Sequence, residues 1–171
     1  MSAPHLLWRE RVSDLETPVG AYLKLAEGRP NSFLLESVEA ARGRYSAIGL
    51  APDLVWRERD GVAEINRHAL SAPHAFEPDP LPVMESLAAQ IDAVRMPLPP
   101  GLPSIAAGLF GYLGYDMVRH MERLPRTKPD VLGIPEAVML RPTIMVVFDH
   151  VRDAMLVVTP VWDGDDTAGQ A

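Results

Sequence analysis

The sequence has no cysteine. That excludes disulfide staples, thiolate metal sites and a cysteine nucleophile, and it fits a reducing compartment. Long apolar runs are also missing. The most apolar stretch, Ile105 to Tyr115, is broken by three glycines and closed by Asp116, well short of the roughly 20 residues a membrane helix needs. It reads as a buried strand. Lys and Arg form no cluster, and the formal net charge is −7, which argues against a nucleic-acid surface. The opening segment MSAPHLLWRER lacks the basic start and long apolar middle of a secretory signal. The expected location is the cytoplasm, with no membrane and no nucleic acid among the partners.

What the chain does have is core-forming material: 47% of its 171 residues are hydrophobic, enough to bury a substantial interior in one domain, or one domain and part of a second. Thr17-Pro18 suits a helix start, with the Thr17 hydroxyl capping free amides and Pro18 at the first helical position, and Gly28 suits its end. Val19, Tyr22, Leu23 and Ala26 then share a face. Strands are expected over 31–37 and 44–50. The segment PDLVWRERDGVAEINR sets Leu54, Trp56 and Glu58 in alternation with Val55, Arg57 and Arg59, and Asp60-Gly61 supplies the positive dihedral angles of a tight hairpin turn.

Prolines 73, 78, 80 and 82 mark a surface loop. The spacing of Val83, Leu87, Ile91 and Val94 then predicts a helix from about Leu81 to Val94. A strand carrying IAAGLFGYLGY, a short helix carrying DMVRHMERL and a strand pair over 136–148 and 154–162 complete the reading. Pro142 within that pair calls for a bulge or an edge position. The sum is an α+β fold, mainly antiparallel β-sheets packed with two or three helices. Residues 1–162 form the domain and 163–171 a solvated tail or interrupted linker.

Motifs for chemistry are scarce. The five histidines (5, 68, 74, 120 and 150) show no metal-ligand spacing, so no metal site is expected. GLFGYLGYD has glycines without the spacing of a phosphate loop, and close approach of a strand to its neighbour explains them better. Ser37, Ser46 and Ser104 have no base adjacent in sequence, and nothing supports nucleophilic catalysis or any catalytic residue. Glu36-Ser37, directly after the apolar Phe33-Leu34-Leu35, allows two readings. In one, Ser37 accepts a turn amide while Glu36 faces water or pairs with Arg42 or Arg44. In the other, acid and hydroxyl project from a rigid strand end into a small-molecule site.

Four segments, in order, resemble one family: TPVGAYLKL (17–25), SFLLESVEAARGRYSAIG (32–49), GLFGYLGYDMVRHMERLP (108–125), and PDVLGIPEAVML with VVFDHV (129–151). The chain resembles the chorismate-utilising enzymes, specifically the N-terminal region of anthranilate synthase component I. The resemblance implies a regulatory domain of an enzyme making anthranilate and pyruvate from chorismate and ammonia or glutamine. It implies Leu35, Glu36 and Ser37, with Arg44 as a weaker candidate, as ligands of the feedback inhibitor L-tryptophan. Further implied partners are a C-terminal chorismate-binding domain of the same polypeptide, which would carry Mg2+ and the catalytic residues, and a glutamine amidotransferase subunit or domain. No cofactor is expected in this chain, which by itself would be inactive and would self-associate through uncovered edges. A similar region of aminodeoxychorismate synthase component I and a free-standing binding module are the alternatives.

Overall fold

Two long strands organise the fold, Tyr45–Arg59 (β3) and Ala137–Asp149 (β7). The structure, a computed structural model, describes residues 4–36, 43–125 and 130–162. It divides into two units: Met1–Pro52 with Met96–Gly108 and Pro142–Ala171, and Asp53–Arg95 with Leu109–Arg141. Both long strands contribute residues to each unit.

In the first unit β7 turns back through Asp149 into the antiparallel strand Ala154–Val161 (β8). The buried positions of β8 alternate strictly, as a half-buried strand requires. Against β8 lies His5–Val12 (β1), antiparallel, with His5 opposite Val161 and Val12 opposite Ala154. This strand was not expected from the sequence. Only Leu6 of β1 is buried, so HLLWRERV carries no alternation to read, and its register is supplied by β8. On the other side, the short strand Phe33–Leu35 (β2) pairs with the start of β3, three residues where the sequence suggested seven.

The helix Pro18–Ala26 (α1) starts as expected: Thr17 Oγ1 accepts the Gly20 amide at 3.0 Å and Pro18 is the first helical residue. Gly28 follows its end with a φ of 69°. Its buried positions are Ala21 and Ala26, whereas Val19 and Leu23 are exposed. The small residues set the packing because they let the helix approach the sheet. They join Ile48, Leu50, Val146 and Phe148, with Tyr22 and Leu34 at the margin, in one apolar cluster.

Pro142 is met in an unanticipated way. His150 N–H donates to Arg44 O and Glu136 N–H to Glu58 O, and in the single register these bonds define, Pro142 stands opposite Pro52. Neither has an amide to donate. The preceding Ala51 has a φ of 49°, and its carbonyl accepts from Thr143 Oγ1 at 2.8 Å, so a side chain replaces the missing ladder bond. On its other side β7 pairs with Phe110–Leu113 (β6) over 137–140 and with β8 over 145–149, so the proline falls between the two ladders.

The second unit holds the hairpin. Asp60 and Gly61 have φ values of 53° and 83°, and β3 pairs across them with Val62–Asn66 (β4) as the turn chemistry requires. Beyond β4 a two-residue strand, Glu77–Pro78 (β5), continues the sheet. The helix Val83–Ala93 (α2) buries Val83, Ser86, Leu87 and Gln90, while Ile91 is exposed, so the covered stripe is rotated from the one its apolar residues suggested. The reason is polar: Trp56 Nε1 donates to Ser86 Oγ at 2.9 Å, and Ser86 Oγ donates to Asp79 Oδ2 at 2.7 Å. Satisfying the buried indole fixes which face turns inward.

The run Ile105–Tyr115 is not a buried strand. It divides into a 3-10 turn at Ser104–Ala106 and a short strand Phe110–Leu113 (β6) whose Gly111, Tyr112 and Leu113 are exposed. Close approach was the correct reading of its glycine: β6 pairs with Ala137–Leu140, and a Cβ on Gly111 would fall 1.8 Å from Val138 O. Of the segment DMVRHMERL only Asp116 to His120 is helical, within the 3-10 helix Tyr115–His120.

Candidate functional site

The expected ligand residues fall at the end of β2. Leu34 opposes Ile48 and enters the apolar cluster, and Phe33 lays its ring over Gly49, where a Cβ would come within 2.2 Å of the ring. Leu35 opposes Ala47 and is 47% exposed. Glu36 follows it and is exposed. Ser37 lies outside the described residues, as does Arg42. A hollow on α1 is lined by Tyr22, Leu23, Lys24, Ala26 and Glu27, and neither Leu35 nor Glu36 reaches it.

Arg44 does not pair with Glu36. Its Nε and Nη2 donate to Asp149 Oδ1 and Oδ2 at 2.9 and 2.7 Å, a two-pronged bond between β3 and β7. Asp149 is buried and also accepts the amides of Val151 and Arg152, closing the turn into β8. Hydrogen bonding from Arg44 is the main reason its carboxyl is held below the usual range, with the turn amides adding to it and burial opposing. A carboxyl whose folded value is lowered stabilises the fold above its unfolded value, near 4, and that stabilisation is lost as pH falls through the folded value. The melting-temperature difference between wild type and Asp149→Asn should therefore be full at pH 7 and shrink steadily below pH 4. An equal gap at pH 7 and pH 2.5 would contradict this.

Beside that pair, Ser46 Oγ lies 2.8 Å from His150 Nε2. Ser46 has no base adjacent in sequence; the structure supplies one from 104 positions away. The only trace in the sequence was that both residues fall within the family-like segments RYSAIG and VVFDHV. Another histidine, His120, comes 3.4 Å from Oε1 of the buried Glu58, which also accepts the Gly61 amide. Among the described residues, no group of three or more His, Asp or Glu side chains converges on a metal position, and no helix is long and apolar enough to cross a membrane.

No family model matches the chain. Individual proteins match strongly. Anthranilate synthase component 1 of Cereibacter sphaeroides is 45% identical over 168 residues, covering 97% of this chain and 34% of that protein. The chain is a homologue of the N-terminal portion of anthranilate synthase component 1. The protein of that name from Thermus thermophilus is 42% identical over 158 residues (91% of this chain, 32% of that protein), and the one from Mycolicibacterium smegmatis 36% over 163 (92% and 30%). The chain thus spans about a third of the length of these anthranilate synthase relatives. The fold agrees with that of crystalline anthranilate synthase component I from Streptococcus pneumoniae, with a TM-score of 0.54, 21% identity and 90% of this chain covered against 31% of that one. Mainly antiparallel sheet with few helices is therefore the anthranilate synthase component I architecture in this region.

Proposed function

We propose that this chain is the tryptophan-sensing N-terminal part of an anthranilate synthase, a cytoplasmic lyase converting chorismate and ammonia or glutamine to anthranilate and pyruvate. The observation that carries the reading is the 45% identity maintained over 97% of the chain to a protein named anthranilate synthase component 1. In this reading the chain holds no catalytic residue. Chorismate, Mg2+ and the reacting groups belong to the chorismate-binding domain, and a glutamine amidotransferase supplies ammonia.

The chemistry of the effector supports Leu35, Glu36 and Ser37 as ligands, with Arg44 in a supporting place. Tryptophan presents an ammonium, a carboxylate and an indole, so its site needs an acid or carbonyls, donors and an apolar wall. Glu36 is an exposed carboxylate at a fixed strand end, and Leu35 beside it is an exposed apolar surface. Arg44 is bound to Asp149 through Nε and Nη2, which anchors its guanidinium at the strand ends. Inhibition requires that tryptophan bind the inactive arrangement of the enzyme more tightly than the active one, a difference of about 1–3 kcal/mol for typical effectors.

The test is Ser37→Phe in the polypeptide that carries this region together with a chorismate-converting domain. The expected result is tryptophan inhibition reduced by about 100-fold or more, with ammonia-dependent anthranilate formation within about twofold of wild type. Inhibition unchanged by the substitution would refute the site, and failure to form anthranilate from chorismate in the unmodified polypeptide would refute the function.

A further inference from the structure

The ladder between β2 and β3 ends with Leu35 opposite Ala47. Carried one position further, it sets Glu36 opposite Ser46. Residues directly opposed, and alternate residues along a strand, share a face of a sheet. Glu36 and Ser46 therefore continue the row begun by Leu34 and Ile48, and His150 continues the row of Val146 and Phe148 on β7. Those four apolar residues belong to the cluster beneath α1. The polar residues extend the same face past its apolar end, where Glu36 and the imidazole of His150 are both exposed.

The Ser46 hydroxyl is itself buried, and its bond to His150 Nε2 holds an exposed ring in one orientation. When the hydroxyl donates to Nε2, the neutral ring carries its hydrogen on Nδ1, and a protonated ring offers a donor there as well. Donors matter at this point of the sheet. An α-amino acid with its ammonium at Glu36 needs a donor for its carboxylate; the Nε–Nη2 edge of Arg44 is engaged by Asp149, and Nδ1 of His150 is a donor on the face that carries Glu36.

We propose that His150 is a further ligand residue of the effector site, donating to the carboxylate of an amino acid whose ammonium meets Glu36. This rests on the reading of the chain as the tryptophan-sensing part. Ser46 is the positioning residue: an imidazole already fixed in place loses less freedom when the ligand arrives.

The experiment compares half-inhibitory concentrations of tryptophan and of tryptamine, which lacks the carboxylate, in the polypeptide that carries this region with its chorismate-converting domain. Wild type, His150→Ala, His150→Gln and Ser37→Phe are assayed together. His150→Ala is expected to weaken inhibition by tryptophan about tenfold, which is within the usual range for effector coupling. It should leave kcat and KM for chorismate within about twofold and leave the weaker inhibition by tryptamine unchanged. His150→Gln, which retains a polar group toward Ser46 and a donor beyond it, should recover part of the loss and covers the case in which the alanine variant fails to fold. Unaltered tryptophan inhibition in both His150 variants, with inhibition abolished in Ser37→Phe, would overturn the His150 assignment and leave the sensing role standing. An equal shift for tryptophan and tryptamine would overturn the carboxylate contact. A wild-type polypeptide that tryptophan does not inhibit would remove the sensing role and this inference together.

Discussion

Replacing Trp56 by alanine is expected to lower stability by about 3–5 kcal/mol, the cost of removing a large aromatic from a packed interior. Trp56 is 0% exposed and packs in the second unit with Leu54, Ala63, Ile65, Val83, Leu87, Met117 and Ala137. Its loss leaves a cavity between β3, β4 and α2. It also withdraws the donor that Ser86 accepts, although Ser86 keeps its own bond to Asp79. The comparison that separates these effects is Trp56→Phe, which retains most of the volume and removes the N–H. It should cost about 1–2 kcal/mol, the value of a buried hydrogen bond with a small packing loss. Denaturant unfolding followed by far-ultraviolet circular dichroism measures both. A phenylalanine variant as unstable as the alanine one would mean that the Trp56–Ser86–Asp79 chain, and not packing, dominates at this position.

Gly111→Ala is expected to be the next most damaging change, on the order of 3 kcal/mol, although it adds a single methyl group. The added Cβ would meet Val138 O at 1.8 Å and the Val138 carbonyl carbon at 2.8 Å. Backbone atoms of a paired strand cannot swing aside as a side-chain end can, so β6 must move away from β7 and loosen the ladder that joins Phe110–Leu113 to Ala137–Leu140. Overpacking of this kind commonly costs 1–3 kcal/mol, and a lost ladder bond adds about 1. Leu113→Ala in the same strand, at a side chain 52% exposed, should change stability by no more than about 1 kcal/mol. Amide exchange localises the effect: faster exchange at 110–113 and 137–140 is expected in Gly111→Ala. Protection unchanged across those residues would show that the two strands tolerate the extra separation.

These two positions also show where the sequence could be read and where it could not. The alternation of Leu54, Trp56 and Glu58 with Val55, Arg57 and Arg59 marked a hairpin strand, and Asp60-Gly61 located its turn, because both signals are local and backbone geometry permits few alternatives. The same alternation places Glu58 inward, where its carboxylate is buried beside the Gly61 amide and His120. Gly111 and Gly114 of GLFGYLGYD correctly signalled close approach, whereas Gly108 has open space around it, and the apolar neighbours suggested burial on both sides. Apolar content says that a residue can be buried, not that a partner is there to bury it. α2 shows the converse: buried Ser86 and Gln90 displaced the expected Ile91, since an indole N–H with no acceptor costs more than an isoleucine left in water.

For the candidate site, Leu35, Glu36, Ser37 and Arg44 came from a resemblance of segments, and the family relationship is upheld by relatives 36–45% identical. The pairing of Arg44 with Asp149 and of Ser46 with His150 could not be read from the sequence, because those contacts join positions more than a hundred residues apart. What the sequence determined by itself was local: the Thr17 cap, the Asp60-Gly61 turn, the alternation of the strand that precedes it and the family to which the segments point. Tertiary structure alone decided that HLLWRERV is a strand, that Arg44 binds Asp149 and that His150 stands beside Ser46. Local torsions and caps act over a few residues and are written in consecutive letters, whereas strand register and polar pairing depend on which distant surfaces fold against one another.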